Sequence, residues 1–256
     1  MPPVHLFLLP HQDDEYGVFH LLERAVERGH RPVCIYLTDG SLAGADPQVR
    51  DAESRKVLTA LGVAEADIHF LGSRFRVPDG GLAEQLGDAL PRVLEVAAAL
   101  GAMESIQVPA WEGGHEDHDA ACALAVVAAQ RWRMADKLRQ FPLYTAGGRK
   151  LWPYRVLAPI SENGPVDSTP IPASRRVRYL RLCLTYRSQL KSMTGLMPFI
   201  ASHYAIRGTQ DLQRIDPVRL RERPHPGPLL YERMRGGTFE SFGARIGRFL
   251  DATGAT

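Results

Sequence analysis

Apolar and polar positions alternate between two rhythms along the first half of the chain. Val4 to Leu9 is a short apolar run that predicts a buried strand, and the polar cluster His11 to Glu15 follows it. Val18, Leu21, Leu22, Ala25 and Val26 then recur at helical spacing, with Gly29 as the stop. Val33 to Leu37 is apolar and rich in β-branched residues, a second strand. A strand–helix–strand unit of this kind implies parallel pairing through a right-handed crossover. The pattern predicts further helices over Arg50 to Leu61, Leu82 to Leu100 and Asp117 to Arg131, and further strands over Ile68 to Leu71 and Ser105 to Val108. Alternation sustained in this way predicts an α/β fold with a doubly wound, mostly parallel, Rossmann-like sheet.

Beyond residue 140 the rhythm breaks. Leu143 to Thr145 and Arg155 to Ile160 read as strands, 161–173 as a loop rich in proline and serine, and Ser174 to Lys191 as one amphipathic helix. The stretch from about 205 to 240 mixes arginine, proline and glycine and predicts no element. The expected organisation is a single domain over 1–256, with an α/β core over 1–140 and a C-terminal elaboration over 141–256.

Composition narrows the classes. The chain has 256 residues, of which 45% are hydrophobic, enough for a sizeable core and too many for disorder. A formal net charge of +2 gives no case for a nucleic-acid partner. Cys34, Cys122 and Cys183 are scattered and odd in number, which fits reduced thiols better than a disulfide framework. The N-terminus lacks a basic segment and a long apolar run, and no apolar stretch approaches the length that spans a bilayer. The expected location is therefore cytoplasmic, with no integral membrane segment.

The candidate chemistry lies at two strand ends. Ligands of doubly wound sheets bind outside the carboxyl ends of the strands, where His11, Gln12, Asp13, Asp14 and Glu15 follow the first strand. No glycine lies between Val4 and Tyr16 to let a backbone approach a pyrophosphate, and carboxylates there repel one, so a nucleotide cofactor is a poor fit. One imidazole beside adjacent carboxylates suits a divalent metal such as zinc. Carboxylates in a first helical turn are also ordinary caps, so this cluster alone decides nothing. The second cluster, Trp111 to Asp119, follows the fourth strand and contains His115 and His118, with Gly113 and Gly114 allowing a tight bend. In the common strand order the first and fourth strands adjoin, and the two clusters would then converge on one centre.

Pro10-His11-Gln12-Asp13-Asp14-Glu15 and His115-Glu116-Asp117-His118 resemble the H-P-D-D-E and H-P-D-H motifs of the LmbE-like (PIG-L) N-acetylglucosaminyl deacetylase family. Thr38-Asp39-Gly40, Arg50 with Glu53, Leu61-Gly62-Val63, Phe70-Leu71-Gly72 and Tyr186-Arg187-Ser188-Gln189 extend the likeness in order over about residues 5–190. The resemblance implies Zn2+ held by His11, Asp14 and His118. It implies Asp13 as the general base toward the attacking water, and His115 as a donor near the oxyanion or the acid for the leaving amine. Arg50 and Asp79 resemble positions that contact sugar hydroxyls, although Arg50 could equally be a solvent-facing arginine paired with Glu53. The implied activity is removal of an N-acetyl group from an amino sugar of the GlcNAc type. A zinc amidase or esterase for a non-sugar acyl substrate is the alternative, and a magnesium phosphatase built on Asp13 and Asp14 is a third class that the histidines disfavour. Gln12 and Glu116 stand where the family has proline. The C-terminal arginines, among them Arg175, Arg178, Arg223, Arg233 and Arg235, suggest solvated faces or a basic rim for an anionic acceptor. Partners are thus a small-molecule or glycan substrate, with oligomerisation open.

Overall fold

In a computed structural model, which describes residues 2–41, 45–149 and 152–255, the chain folds as an α/β sheet flanked by helices on both faces. The first half runs β1 (Val4–Leu9), α1 (Phe19–Glu27), β2 (Arg31–Tyr36), α2 (Pro47–Ala60), β3 (Ile68–Phe70), α3 (Leu71–Phe75), α4 (Leu86–Ala98), β4 (Met103–Pro109), α5 (Glu116–Arg131) and β5 (Leu138–Phe141). The second half adds the hairpin β6 (Tyr144–Arg149) and β7 (Trp152–Val156), then β8 (Val166–Pro170), α6 (Ala173–Cys183), α7 (Leu190–Ile206), β9 (Thr209–Gln213), α8 (Leu230–Arg235) and α9 (Phe239–Thr253). The main sheet has seven strands in the order β3-β2-β1-β4-β5-β9-β8. Pairing is parallel from β3 through β5, and β9 and β8 are added antiparallel.

The period-two alternation of a strand sorts β1 onto both faces. Leu6 and Leu8 join Val33, Ile35, Ile106 and Val108 in the core under α4, α5 and α9. Phe7 and Leu9 join Cys34, Tyr36 and the residues of α1, α2, α6 and α7 on the other face. The residues of α5 from Asp117 to Ala129 are buried throughout. Its alanines permit close approach to the sheet, while Phe242, Ile246 and Leu250 of α9 cover its outer side. The three cysteines are buried free thiols. Among the described residues, no helix is long and apolar enough to cross a membrane.

Several expectations change. The helix expected over Leu82 to Leu100 is a 3-10 turn at Leu82–Glu84 followed by α4, and the Leu82 N–H that opens the turn is held by Asp117. The helix expected over Ser174 to Lys191 ends at Cys183, and α7 begins at Leu190. Between them Tyr186 turns inward and Ser188 donates to Glu53, contacts that a continuous helix would not allow. The strand expected over Arg155 to Ile160 lies earlier, as β7. The loop expected over 161–173 contains β8, an edge strand exposed at every position, so no apolar alternation marks it. β5 and β9 are strands that the pattern did not predict.

Candidate metal centre and active site

β1 and β4 are neighbours, so the two polar clusters that follow them face one another. The first cluster is a tightly pinned turn. Thr38 donates from both its N–H and its Oγ1 to Pro10 O, at 3.0 and 2.7 Å. The His11 N–H donates to Asp14 Oδ2 at 2.7 Å. Asp13 takes φ 122°, a left-handed conformation that is costly for a residue with a Cβ. Its N–H is met by Glu15 Oε2 at 3.0 Å, and the Glu15 carboxyl lies against Ser54, Tyr36 and Tyr186 in the core. Arg50 is buried and spans the turn, donating to Gln12 O and Gly40 O at 2.6 Å each, with Nη2 at 3.5 Å from Asp13 Oδ1. It therefore does not face solvent beside Glu53. Gly40 is required here, since its φ is +64° and a Cβ would meet Arg50 Nη1 at 2.4 Å.

Opposite this turn, His115 caps the start of α5 by accepting the Asp117 N–H on Nδ1 at 3.1 Å. That leaves the proton on His115 Nε2, which points at Asp79 Oδ1 at 3.3 Å. Asp117, buried in the first turn of α5, holds three donors: Gly80 N–H at 2.5 Å, Leu82 N–H at 3.0 Å and His11 Nε2 at 3.0 Å. With His11 Nε2–H directed at Asp117, its Nδ1 lone pair is left for the centre, 3.3 Å from Asp14 Oδ2. His118 Nε2 approaches Asp14 Oδ1 at 3.1 Å, its ring meets Tyr144 edge-on at 5.2 Å, and both its buried ring nitrogens lack a hydrogen bond.

His11, Asp14 and His118 thus present ligand atoms within 4.8 Å of one another, all buried. Two imidazoles and one carboxylate form the donor set of a catalytic zinc site with an open position. The unpartnered His118 nitrogens fit such an ion, because an orphaned polar atom is otherwise costly in the interior. The electrostatics agree. Burial would lower the His11 pKa, yet Asp79, Asp14 and Asp117 raise it well above the ordinary value, so the site favours a cation. Burial would raise Asp14, yet His118 and His11 hold it below the usual carboxylate range. Burial lowers His118 and keeps it neutral, as a ligand requires. Burial raises Asp13, opposed by Arg50. A second cluster, His11, Asp79, His115 and Asp117, also lies close together. Its imidazole nitrogens carry protons toward carboxylates, so it is a hydrogen-bond network around the first group and not a second metal set.

Asp79 takes part in that network and also accepts from Arg235 Nη2 at 2.7 Å. Three contributions, from Asp117, Asp119 and Glu112, carried no recognised signal in the sequence. Asp117 lies inside the His115–His118 motif, where a cap reading conceals it. Asp119 accepts the Glu112 and Gly113 N–H groups at 3.0 and 3.2 Å. Glu112 is buried and accepts the Leu143 and Tyr144 N–H groups at 2.7 and 2.9 Å. Gly114 packs against the Tyr144 carbonyl, where a Cβ would come within 1.8 Å. Most of the C-terminal arginines are engaged elsewhere: Arg175 and Arg178 with Glu23, Arg207 with Asp211, Arg221 with Asp251 and Arg223 with Glu232.

A doubly wound sheet with a buried His/Asp metal-binding group at the carboxyl ends of β1 and β4 defines the class of the protein. Residues 6–130, just under half of the chain, match the family model "PIG-L: GlcNAc-PI de-N-acetylase". No curated protein matches the sequence. The fold is similar to that of a deacetylase of the teicoplanin biosynthesis pathway, with TM-score 0.61, 16% identity, and coverage of 83% of this chain and 99% of that one. It is also similar to a conserved protein from Thermus thermophilus, with TM-score 0.57, 20% identity, and coverage of 85% and 96%. The N,N'-diacetylchitobiose deacetylase of Pyrococcus horikoshii aligns with TM-score 0.57, 14% identity, and coverage of 88% and 86%.

Proposed function

We propose that the protein is a zinc-dependent N-deacetylase that hydrolyses the acetamide of an amino sugar of the GlcNAc type. The observation that carries this reading is the convergence of His11 Nδ1, Asp14 and His118 Nε2 within a segment matched by the de-N-acetylase family. These three residues would hold the metal. When bound, zinc polarises the amide carbonyl and makes water a stronger nucleophile near neutral pH.

The chain's own residues do the rest. Asp13, strained and beside the ligands, takes the proton of the attacking water; Arg50 engages its Oδ1, which leaves Oδ2 as the basic oxygen. His115 keeps Nδ1 on the Asp117 N–H and therefore offers Nε2–H, either to the oxygen on which charge develops or to the departing nitrogen. The C–N bond breaks, the acyl carbon leaves as acetate, and the amine departs with the proton it gains. Tyr144 and the pinned 10–13 turn keep water from the far side of His118 and His11. Asp79 faces the same mouth and supplies an acceptor for a sugar hydroxyl. A reducing cytoplasm suits the three buried free thiols.

The test is amine release from N-acetylated sugars, compared with acyl-amino acids and aryl esters, together with metal content. Wild type is expected to carry about one zinc per chain and to release amine from a GlcNAc compound. Asp13→Asn should retain the metal and lose activity by about two to four orders of magnitude. A fully active Asp13→Asn variant, or turnover confined to the non-sugar substrates, would overturn the reading.

A further inference from the structure

Arg235 comes from outside the segment that carries the candidate ligands, yet it pairs with Asp79, which stands 3.3 Å from His115 Nε2 and 3.8 Å from His11 Nε2. It is the last residue of α8, whose Leu230 N–H donates to Gly113 O at 2.9 Å and whose Glu232 accepts the Leu229 and Phe239 N–H groups at 2.8 and 2.9 Å. Its side chain is a quarter exposed and lies against Gly80, where a Cβ would meet Nη1 at 2.8 Å. Nη2 pairs with Asp79 Oδ1 at 2.7 Å, and Nη1 faces Glu116 Oε1 at 3.5 Å. Glu116 is the residue that stands where the family motif has proline, and its Oε2 is buried without a partner. Asp117 adds a third carboxylate to the surroundings of this one cation.

We infer that Arg235, with Glu116 as its added counter-charge, forms the acceptor-binding edge of the site and selects an uncharged, polyhydroxylated acceptor over one bearing a phosphate. The inference rests on the deacetylase reading above and narrows its substrate class. A guanidinium neutralised by two carboxylates has little attraction left for a third anion, and a phosphate placed there would meet Asp79 and Glu116 as like charges. Two of its five N–H groups serve those carboxylates, so donors remain for neutral oxygens. Beside them Asp79 accepts. A fixed donor and a fixed acceptor side by side match neighbouring hydroxyls of a pyranose. Arg175, Arg207 and Arg221 are drawn to Glu23, Asp211 and Asp251 and not to Asp79 or Glu116.

The test uses zinc-loaded Asp13→Asn protein, which binds without turnover, titrated calorimetrically with N,N'-diacetylchitobiose and with N-acetylglucosamine 1-phosphate at low and high salt. The uncharged sugar is expected to bind more tightly, with little salt dependence. Arg235→Ala in that background should weaken it about tenfold, as loss of a charged hydrogen-bond donor does. Glu116→Gln should move the preference toward the phosphate about tenfold, by freeing the guanidinium. Tighter, salt-sensitive binding of the phosphate to the Glu116-containing protein would overturn the inference and leave the deacetylase reading standing. So would a pair of substitutions that lower the melting temperature without changing the preference. Binding of neither sugar would overturn both.

Discussion

Replacing Asp117 by asparagine separates two jobs that one carboxylate performs. Asp117 accepts from Gly80 N–H and His11 Nε2 on Oδ2 and from Leu82 N–H on Oδ1. Asparagine has one acceptor oxygen and one donor group, so it cannot meet donors on both sides. If its nitrogen takes the Oδ2 place, His11 is pushed toward the tautomer with the proton on Nδ1, where the metal would bind. If it takes the Oδ1 place, the Leu82 N–H loses its partner. Loss of the orienting carboxylate is worth about 10–100-fold in metal affinity, or about 1.4–2.7 kcal/mol. A stranded buried N–H costs about 1–3 kcal/mol of fold stability. Competition against a chelator of known zinc affinity reads the first, and thermal unfolding of metal-free protein reads the second. Asp117→Ala removes both oxygens at once, so zinc affinity unchanged in that variant while its metal-free form melts earlier would refute the orienting role, because Asp117 would then be only a clamp on the 79–82 turn.

At the opposite end of the sheet, His5 hydrogen-bonds Ser105 Oγ at 2.6 Å and His30 Nδ1 at 2.7 Å. Burial, then His30 and Arg28, depress its pKa against a smaller pull from Glu104. The unfolded chain therefore takes up a proton first, and the stability that His5 contributes should fall as pH drops below about 6.5; the gap in unfolding midpoint between wild type and His5→Gln, measured at pH 5.5 and 7.5, checks this, and a gap at pH 5.5 as large as that at pH 7.5 would contradict it. Burial pushes Glu112 up to about 8 from 4.5. Between those values the folded state holds a proton that the unfolded state has released, so stability should decline as pH rises through the window, and Glu112→Gln, which keeps one acceptor oxygen, should flatten that decline. Gly114→Ala should destabilise by about 1–3 kcal/mol by forcing Tyr144 away. Gly87→Ala, facing open space in α4, should instead stabilise by about 0.4–1 kcal/mol, so denaturant midpoints of the two should move in opposite directions.

The half of the fold built on buried parallel strands is the half that can be read from hydrophobic pattern. β1 and β2 are largely apolar on both faces, β4 is apolar on the face of Ile106 and Val108, and α1 and α4 carry one apolar side. β8 escapes because an exposed edge strand needs no apolar face, and the α6–α7 break escapes because its cause, Tyr186 against Glu15, is a contact across the fold. The candidate metal group is read from two polar clusters at adjoining strand ends and from the likeness of their motifs, and the fold brings His11, Asp14 and His118 together. Arg50 was legible as a motif position but not in its placement: helical spacing alone cannot show that one arginine of α2 points inward to Gly40 O and Gln12 O. Asp117 and Glu112 were hidden for a related reason. Their work consists of accepting backbone N–H groups from segments distant in sequence, and residue type does not encode that.

The division of the site between the two halves of the chain explains where its selectivity resides. All three candidate ligands and Asp13 lie within residues 6–130, the segment that matches the family. Contacts onto the stretches around the centre come from beyond it. Leu230 N–H reaches Gly113 O, Trp111 Nε1–H reaches Glu222 O at 3.1 Å, His225 Nε2 meets Thr145 Oγ1 at 3.0 Å, and Arg235 reaches Asp79. Three of these land on the Trp111–Gly114 stretch or on the acidic residue beside the centre, and the fourth lands on Thr145, which donates to Glu112 O at 2.7 Å. Changes after residue 220 can therefore reshape the acceptor edge while leaving the metal geometry in place, because no ligand lies there. The same arrangement lets Glu116, the first residue of α5, act on the acceptor through Arg235 while its neighbours Asp117 and His118 belong to the candidate metal group and the hydrogen-bond network around it.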